Sequence, residues 1–589
     1  MLPTDVAGTE PGQRKLNGPQ TTGRTYRNLS HPEFTIRTEE NVAVTVRDGT
    51  ELLADVYRPD SEGRFPALVA ASCYPRQIQN TGAPLGFVEA GATDFWVPRG
   101  YAHVIANVRG TGGSGGTYSW LDQTEREDMH DLVEWAAAQP WCDGRVGMIG
   151  ISYFAMTQLA AATERPKHLR AIFPVATTAD PYEAAYHHGI LNMTFLSGWL
   201  TGVGGLAGKP DGTFRNPVVD LASRVLRAEP VHQRFASLNG EAILAILGSV
   251  MRTHYSEHPW DDLWFAMTVD HQTRDNWWEE RNMLPRLEGV EIPIYLGCDW
   301  ENVPLHLPST FSVWKALAGK APLRIGMLGK NGLTWPWESL HLEALAWFDH
   351  WLKDADTGIM DGPPIRYWMP GADEFREADA WPPPEASHVE LALRADGRLA
   401  ADEGDTGARE YADLPPELER PKAAPPLQLP THLVWDTEPL ASDLDMIGEI
   451  ELRLDAATAA ADTQWIATLQ DVDEKDGTVD VTAGWLRATL RRLDRDASER
   501  GAPVLPCSKR RKIPPGKLVS YRIPLVPNAR RFARGHRIRL VLASDDNAKE
   551  LPSIMHFRHA RIGEPARNSI YSSSRLLLPV VGGEAAGIG

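Results

Sequence analysis

Arg145-Val-Gly-Met-Ile-Gly-Ile-Ser152-Tyr153-Phe-Ala155 runs from an apolar stretch into a glycine, then a sharp turn carrying a serine, then a helix of small residues from Met156 to Ala162. A buried strand that turns abruptly into a helix forces the residue at the corner outward. A serine placed there has its hydroxyl above the end of a sheet, where it is accessible to a substrate. The stretch therefore predicts an α/β layer and acyl-transfer chemistry centred on Ser152.

On both sides of this corner the pattern repeats. Continuous apolar runs at residues 67–71, 102–106, 146–149, 169–173, 292–296 and 323–328 read as parallel strands covered on both faces. Helical periodicity separates several of them, as at residues 127–138, and this alternation indicates a mostly parallel sheet. Upstream, residues 42–46 and 52–57 flank Asp48-Gly49 and read as a hairpin. Between Phe173 and Ile292 the interval is too long for one crossover and carries many aromatics, among them Trp199, Trp260, Trp264 and Trp277-Trp278. A helical cap inserted above the sheet, over about 180–285, accounts for it. After Lys353, proline-rich segments surround short alternating strands at 450–454, 465–469, 486–490 and 538–542, which read as an all-β sandwich or jelly roll. The expected division is a mobile arm over 1–35, an α/β domain over 36–353 and a β domain over 354–589.

Composition narrows the function. The 589 residues carry a net charge of −18, which argues against a nucleic-acid partner and favours solubility. No apolar run approaches the roughly 18–20 residues needed to span a bilayer. Residues 1–16 lack a basic segment followed by an apolar one, so a cytoplasmic protein is expected. Cys73, Cys142, Cys298 and Cys507 are far apart and read as reduced, buried thiols. No metal-ligating spacing and no cofactor motif is read: His187-His188 looks like cap packing, and the glycines of Arg109-Gly-Thr-Gly-Gly-Ser114 lack the Gly-Lys-Ser/Thr ending of a phosphate loop.

Several ordered segments resemble the cocaine esterase / X-Pro dipeptidyl-peptidase family of serine hydrolases, the CocE/NonD group. They are Val108-Arg-Gly-Thr-Gly-Gly-Ser114, Glu134-Trp-Ala-Ala-Ala-Gln-Pro-Trp-Cys142, Gly144-Arg-Val-Gly-Met148, Gly150-Ile-Ser-Tyr153, Trp347-Phe-Asp-His-Trp-Leu-Lys353, Thr437-Glu-Pro-Leu440, Leu469-Gln-Asp-Val472, Gly484-Trp-Leu-Arg487 and Gly535-His-Arg-Ile538. The resemblance implies an α/β-hydrolase domain with an inserted helical cap and a C-terminal jelly roll. It implies Ser152 as nucleophile, with the Tyr153 backbone N–H and the Tyr74 hydroxyl as oxyanion donors. It also implies a small-molecule ester or amide substrate.

Two positions depart from the family pattern. The acid, counted from Trp300, falls on Asn302, an amide that cannot stabilise an imidazolium as a carboxylate does. Asp299 and Glu301 flank it as substitutes. The base, counted back from His350, falls on Met327, and no histidine lies between His306 and His341. His341, at the expected start of a helix, is the nearest later candidate. The resulting expectation is Ser152, His341 and Asp299 as catalytic residues, acting through an acyl-serine intermediate. The alternatives are a ligand-binding protein with a degenerate triad and an acyltransferase.

Overall fold

The structure is a computed structural model and describes residues 15–84, 86–207, 260–414, 428–546, 559–563 and 565–582. Among the described residues, the apolar runs form the centre of a ten-stranded sheet. Its strands are β1 (Ile36–Thr45), β2 (Glu51–Pro59), β3 (Phe65–Ser72), β4 (Ala102–Asn107), β5 (Cys142–Ile151) and β6 (Leu169–Val175), then, after a separate hairpin of β7 (Tyr186–His187) and β8 (Ile190–Leu191), β9 (Ile294–Asp299), β10 (Leu323–Leu328), β11 (Ile365–Met369) and β12 (Glu374–Ala378). The spatial order is β1-β2-β4-β3-β5-β6-β9-β10-β11-β12. From β4 through β11 every neighbour pairs in parallel.

Helices α1 (Gln123–Ala138), α2 (Tyr153–Glu164), α3 (Met193–Ala207), α4 (Leu307–Leu317) and α5 (His341–Lys353) frame the region around Ser152. β4, β9 and β10 are buried along their whole length, as two covered faces require. Gly147 lets α5 close on β5, since a Cβ there would lie 2.7 Å from Phe348 Cε1. The glycine turn after β4 is structural: Gly112 packs directly on the Asn107 side chain, and Arg109 pairs with Asp128 at 2.6 Å.

The expected boundaries need two corrections. The first sheet continues past Lys353, because Ile365–Met369 extends it in parallel beside β10 and Glu374–Ala378 closes its edge. The segment expected to be a mobile arm is a docked strap from residue 15 onward. The Asn17 N–H donates to Glu338, Thr22 donates to Glu343 through its N–H and hydroxyl, and Ser30 does the same to Asp349. Residues 1–14 of that expectation, and residues 208–259 of the cap, lie outside the described residues. The described part of the cap region includes β7, β8 and α3.

The C-terminal part is, among the described residues, an eleven-stranded antiparallel assembly, with its longest pairing between Leu444–Thr458 and Val519–Phe532. In the latter strand the buried Tyr521, Ile523 and Leu525 alternate with the less buried Arg522 and Pro524, the period of two expected of a half-buried strand. All four cysteines are buried and unbridged.

Candidate active site

Ser152 occupies the corner between β5 and α2 with φ 60° and ψ −118°. That backbone is unfavourable for any side chain, and it is held by its surroundings. The Ser152 N–H donates to the Val175 carbonyl and the Ile151 N–H to the Glu89 carbonyl. Gly150, at φ 137°, is required because a Cβ would lie 2.3 Å from Phe154 Cβ. Tyr153 is the first residue of α2, so its N–H has no acceptor within the helix and is available to an anion.

Tyr74 follows β3 and packs against Tyr153, with ring centroids 6.1 Å apart. Its hydroxyl accepts from Trp199 Nε1 at 3.0 Å and lies beside the Ser152 side chain. Burial, followed by the nearby Glu89 carboxyl, pushes its phenol well above the usual range. Tyr74 therefore remains a neutral donor.

The imidazole facing the serine is His306, whose Nε2 lies 3.2 Å from Ser152 Oγ. His306 is the N-cap of α4, with Pro308 behind it in the first turn. The Asn302 carbonyl accepts from the N–H groups of Leu305, His306 and Leu307, and this fixes the turn that aims the ring. His306 Nδ1 lies 2.8 Å from Thr178 Oγ1, in the loop after β6, and the Thr177 carbonyl also accepts from the imidazole. With the hydrogen on Nδ1 and given to the Thr178 hydroxyl, Nε2 keeps its lone pair toward Ser152. Burial lowers the His306 pKa to about 3, against the opposing pull of the Thr177 carbonyl.

His341 does not occupy the expected place. It is fully buried; its Nε2 accepts from the Ala92 N–H at 3.0 Å and its Nδ1 lies 3.2 Å from the Ser339 carbonyl. Its ring packs against Phe95, Trp96 and Trp337. Nε2 thus braces the loop that supports the elbow through Glu89, while Nδ1 holds the turn that leads into α5. Asp299 is also turned elsewhere: the N–H groups of Glu301, Asn302 and Leu333 donate to its carboxyl, while burial first, then Glu301, raises its pKa to about 7. The hydroxyl of Thr178 occupies the position behind the His306 imidazole where the family pattern leads one to expect a carboxylate. The structure brings Ser152, Tyr74 and Tyr153 together and adds His306 and Thr178. His306 has one usable signal in the sequence, a histidine just after a central strand and just before a Leu-Pro helix start, at the strand edge where ligands bind in such sheets.

The described walls of the cleft are apolar around these groups, with Trp120, Met156, Phe195, Leu196, Trp199 and Leu305 among them. Behind α2, Tyr118 OH donates to Tyr153 OH, which donates to Glu125 at 2.6 Å. Burial raises the Glu125 carboxyl to about 7 despite that bond. Among the described residues no cluster of His, Cys, Asp or Glu has metal-holding geometry, and no helix is long and apolar enough to cross a membrane.

The sequence matches the X-Pro dipeptidyl-peptidase (S15 family) over residues 48–337 and the X-Pro dipeptidyl-peptidase C-terminal non-catalytic domain over residues 357–553. The chain is a CocE/NonD-like, X-Pro dipeptidyl-peptidase-like serine hydrolase. It is 26% identical over 559 residues to the cocaine esterase of Rhodococcus sp. (strain MB1 Bresler), covering 86% of this chain and 91% of that one. Its fold matches a CocE/NonD family hydrolase from Staphylococcus aureus with a TM-score of 0.74 at 22% identity, over 94% of this chain and 99% of the other. An α-amino acid ester hydrolase matches with a TM-score of 0.69 at 19% identity, over 97% of this chain and 100% of the other. The chain is accordingly a serine hydrolase of ester or peptide type, with an α/β-hydrolase domain and a β-rich C-terminal domain.

Proposed function

We propose that this protein hydrolyses carboxylic esters of uncharged acyl groups through an acyl-Ser152 intermediate, with His306 as the base. The observation that carries the reading is the Ser152 Oγ–His306 Nε2 contact at 3.2 Å, with Nδ1 turned to Thr178. Ser152 Oγ attacks the ester carbonyl carbon while its proton passes to His306 Nε2. The oxygen that gains charge is met by the Tyr74 hydroxyl and the Tyr153 N–H. On collapse the carbon–oxygen bond to the alcohol breaks, and the departing alkoxide takes the proton from Nε2. A water molecule then gives its proton to Nε2 and attacks the acyl carbon, which releases the acid and restores Ser152.

The preference for an uncharged acyl group rests on the cleft. A dipeptidyl substrate brings a free ammonium group, which needs a carboxylate partner when it leaves water. The described lining residues of the Ser152 cleft include no acidic or basic side chain other than His306.

Labelling with a fluorophosphonate and a burst with an activated ester test the reading together. Ser152→Ala should abolish both, and His306→Ala should reduce kcat by roughly 10⁴–10⁶-fold. Full activity in His306→Ala would overturn the assignment of the base. No labelling of the wild type would favour the ligand-binding alternative, and transfer of the acyl group to an added amine in preference to water would favour the acyltransferase.

A further inference from the structure

The loop that carries His306 is held by the C-terminal domain as well as by its own. At one end, Asn528 Nδ2 donates to the Trp300 carbonyl at 3.2 Å. At the other, two residues before His306, the Pro304 carbonyl accepts from His187 Nε2 at 2.6 Å. His187 lies in β7, and the hairpin it belongs to is seated on the β domain: Arg487 N–H donates to the His188 carbonyl and Ala560 N–H to the Leu191 carbonyl. Its ring stacks on Trp485 with centroids 4.5 Å apart. His187 Nδ1 lies 2.6 Å from His559 Nε2, and His559 Nδ1 lies 2.8 Å from Asp546 Oδ1.

The proton positions in this chain of side chains are forced. Pro304 offers only an acceptor, so His187 carries its hydrogen on Nε2. Burial, then the neighbouring His559, holds the His187 pKa well below the usual value, so the ring is neutral and Nδ1 is a lone pair. His559 Nε2 must then be the donor, and one further proton lies between His559 Nδ1 and the Asp546 carboxylate. Both rings are buried, and each of their nitrogens is thereby paired. A neutral His187 without the His559 donor has a second tautomer open to it, with the hydrogen on Nδ1. That tautomer turns a lone pair toward the Pro304 carbonyl and releases the loop.

We propose that His187 is a positioning residue for the His306 base, and that His559 and Asp546 of the C-terminal domain fix the ring state in which it does so. The β domain then acts on the reaction without touching the substrate. This proposal rests on the reading of His306 as the base, and the test separates the two. His559→Met removes the donor and keeps the volume; His559→Gln restores an N–H donor near the same place. With an activated ester, His559→Met should lower kcat about tenfold or more with KM within twofold of wild type, and should slow fluorophosphonate labelling of Ser152 in proportion. His559→Gln should recover most of the rate. A merely structural role would have both variants lose kcat in step with their loss of thermal stability. That result, or wild-type kcat in His559→Met, would overturn the positioning role. If His559→Met misfolds, His187→Gln against His187→Met offers the same contrast at the Pro304 carbonyl. Inactive His306→Ala beside unaffected His559→Met leaves the base standing and removes the relay; active His306→Ala removes the base itself.

Discussion

At the scale of single residues, a hydroxyl rather than a carboxylate beside Nδ1 bears on what His306 can do as the proposed base. A hydroxyl orients the imidazole but, able both to donate and to accept, leaves its tautomer free and gives the imidazolium little charge stabilisation. Thr178→Val keeps the shape and removes the bond; kcat should fall roughly tenfold, the worth of about one hydrogen bond. With a pKa near 3, His306 remains neutral through the ordinary range, so kcat/KM should show no fall between pH 8 and pH 5 through this group. Thr178→Asp would favour the charged ring and raise its pKa, so an acid limb should enter that window and activity should fall as pH drops. An unchanged profile in Thr178→Asp would argue against Thr178 as the partner of Nδ1. Tyr74→Phe removes an oxyanion donor and should cost roughly 10²–10³ in kcat with little change in KM.

At the scale of elements, the central strands and the elbow are legible in the sequence because apolar runs, a glycine and a serine leave few alternatives. Residues 323–328 read as a strand and are β10 with the same bounds. The imidazole that faces Ser152 is hard to find by counting, for a physical reason. Counting along the family pattern assumes a histidine on the loop after β10, whereas His306 lies on the loop after β9, one strand inward. A function can move between neighbouring loops because both end at the same edge of the sheet, and linear spacing does not record that adjacency. The same limit explains Lys353 as a misplaced boundary: Ile365–Met369 looks like an isolated alternating strand and gains its place only by pairing with β10. Close helix–strand packing yields a prediction at this scale. Gly147→Val would drive a branched side chain into Phe348 and Leu352, and should destabilise the protein by roughly 1–3 kcal/mol in denaturant unfolding.

At the scale of the whole molecule, buried carboxyls tie stability to pH. Glu125 has an ordinary value of 4.5 and a folded value of about 7, so within that window the folded chain holds a proton that the unfolded chain releases. Stability therefore falls as pH rises from about 4.5 to about 7 and levels off above, for a total of roughly 3 kcal/mol from this group. Asp299 acts in the same direction. Glu125→Gln mimics the protonated form and should flatten part of the slope when unfolding is compared at pH 5 and pH 8; an unchanged slope would refute the role of Glu125.

The strap formed by residues 15–30 has a consequence for how the molecule is made. Thr22 meets Glu343, 321 positions later, and Ser30 meets Asp349, 319 positions later. At typical synthesis speeds of 5–20 residues per second, a strap leaving the ribosome waits roughly 15–60 s before its partners exist. A segment made well before its partners is thus among the last to be seated, and Glu343 and Asp349 enter the folded core with their hydrogen-bond donors already synthesised and waiting.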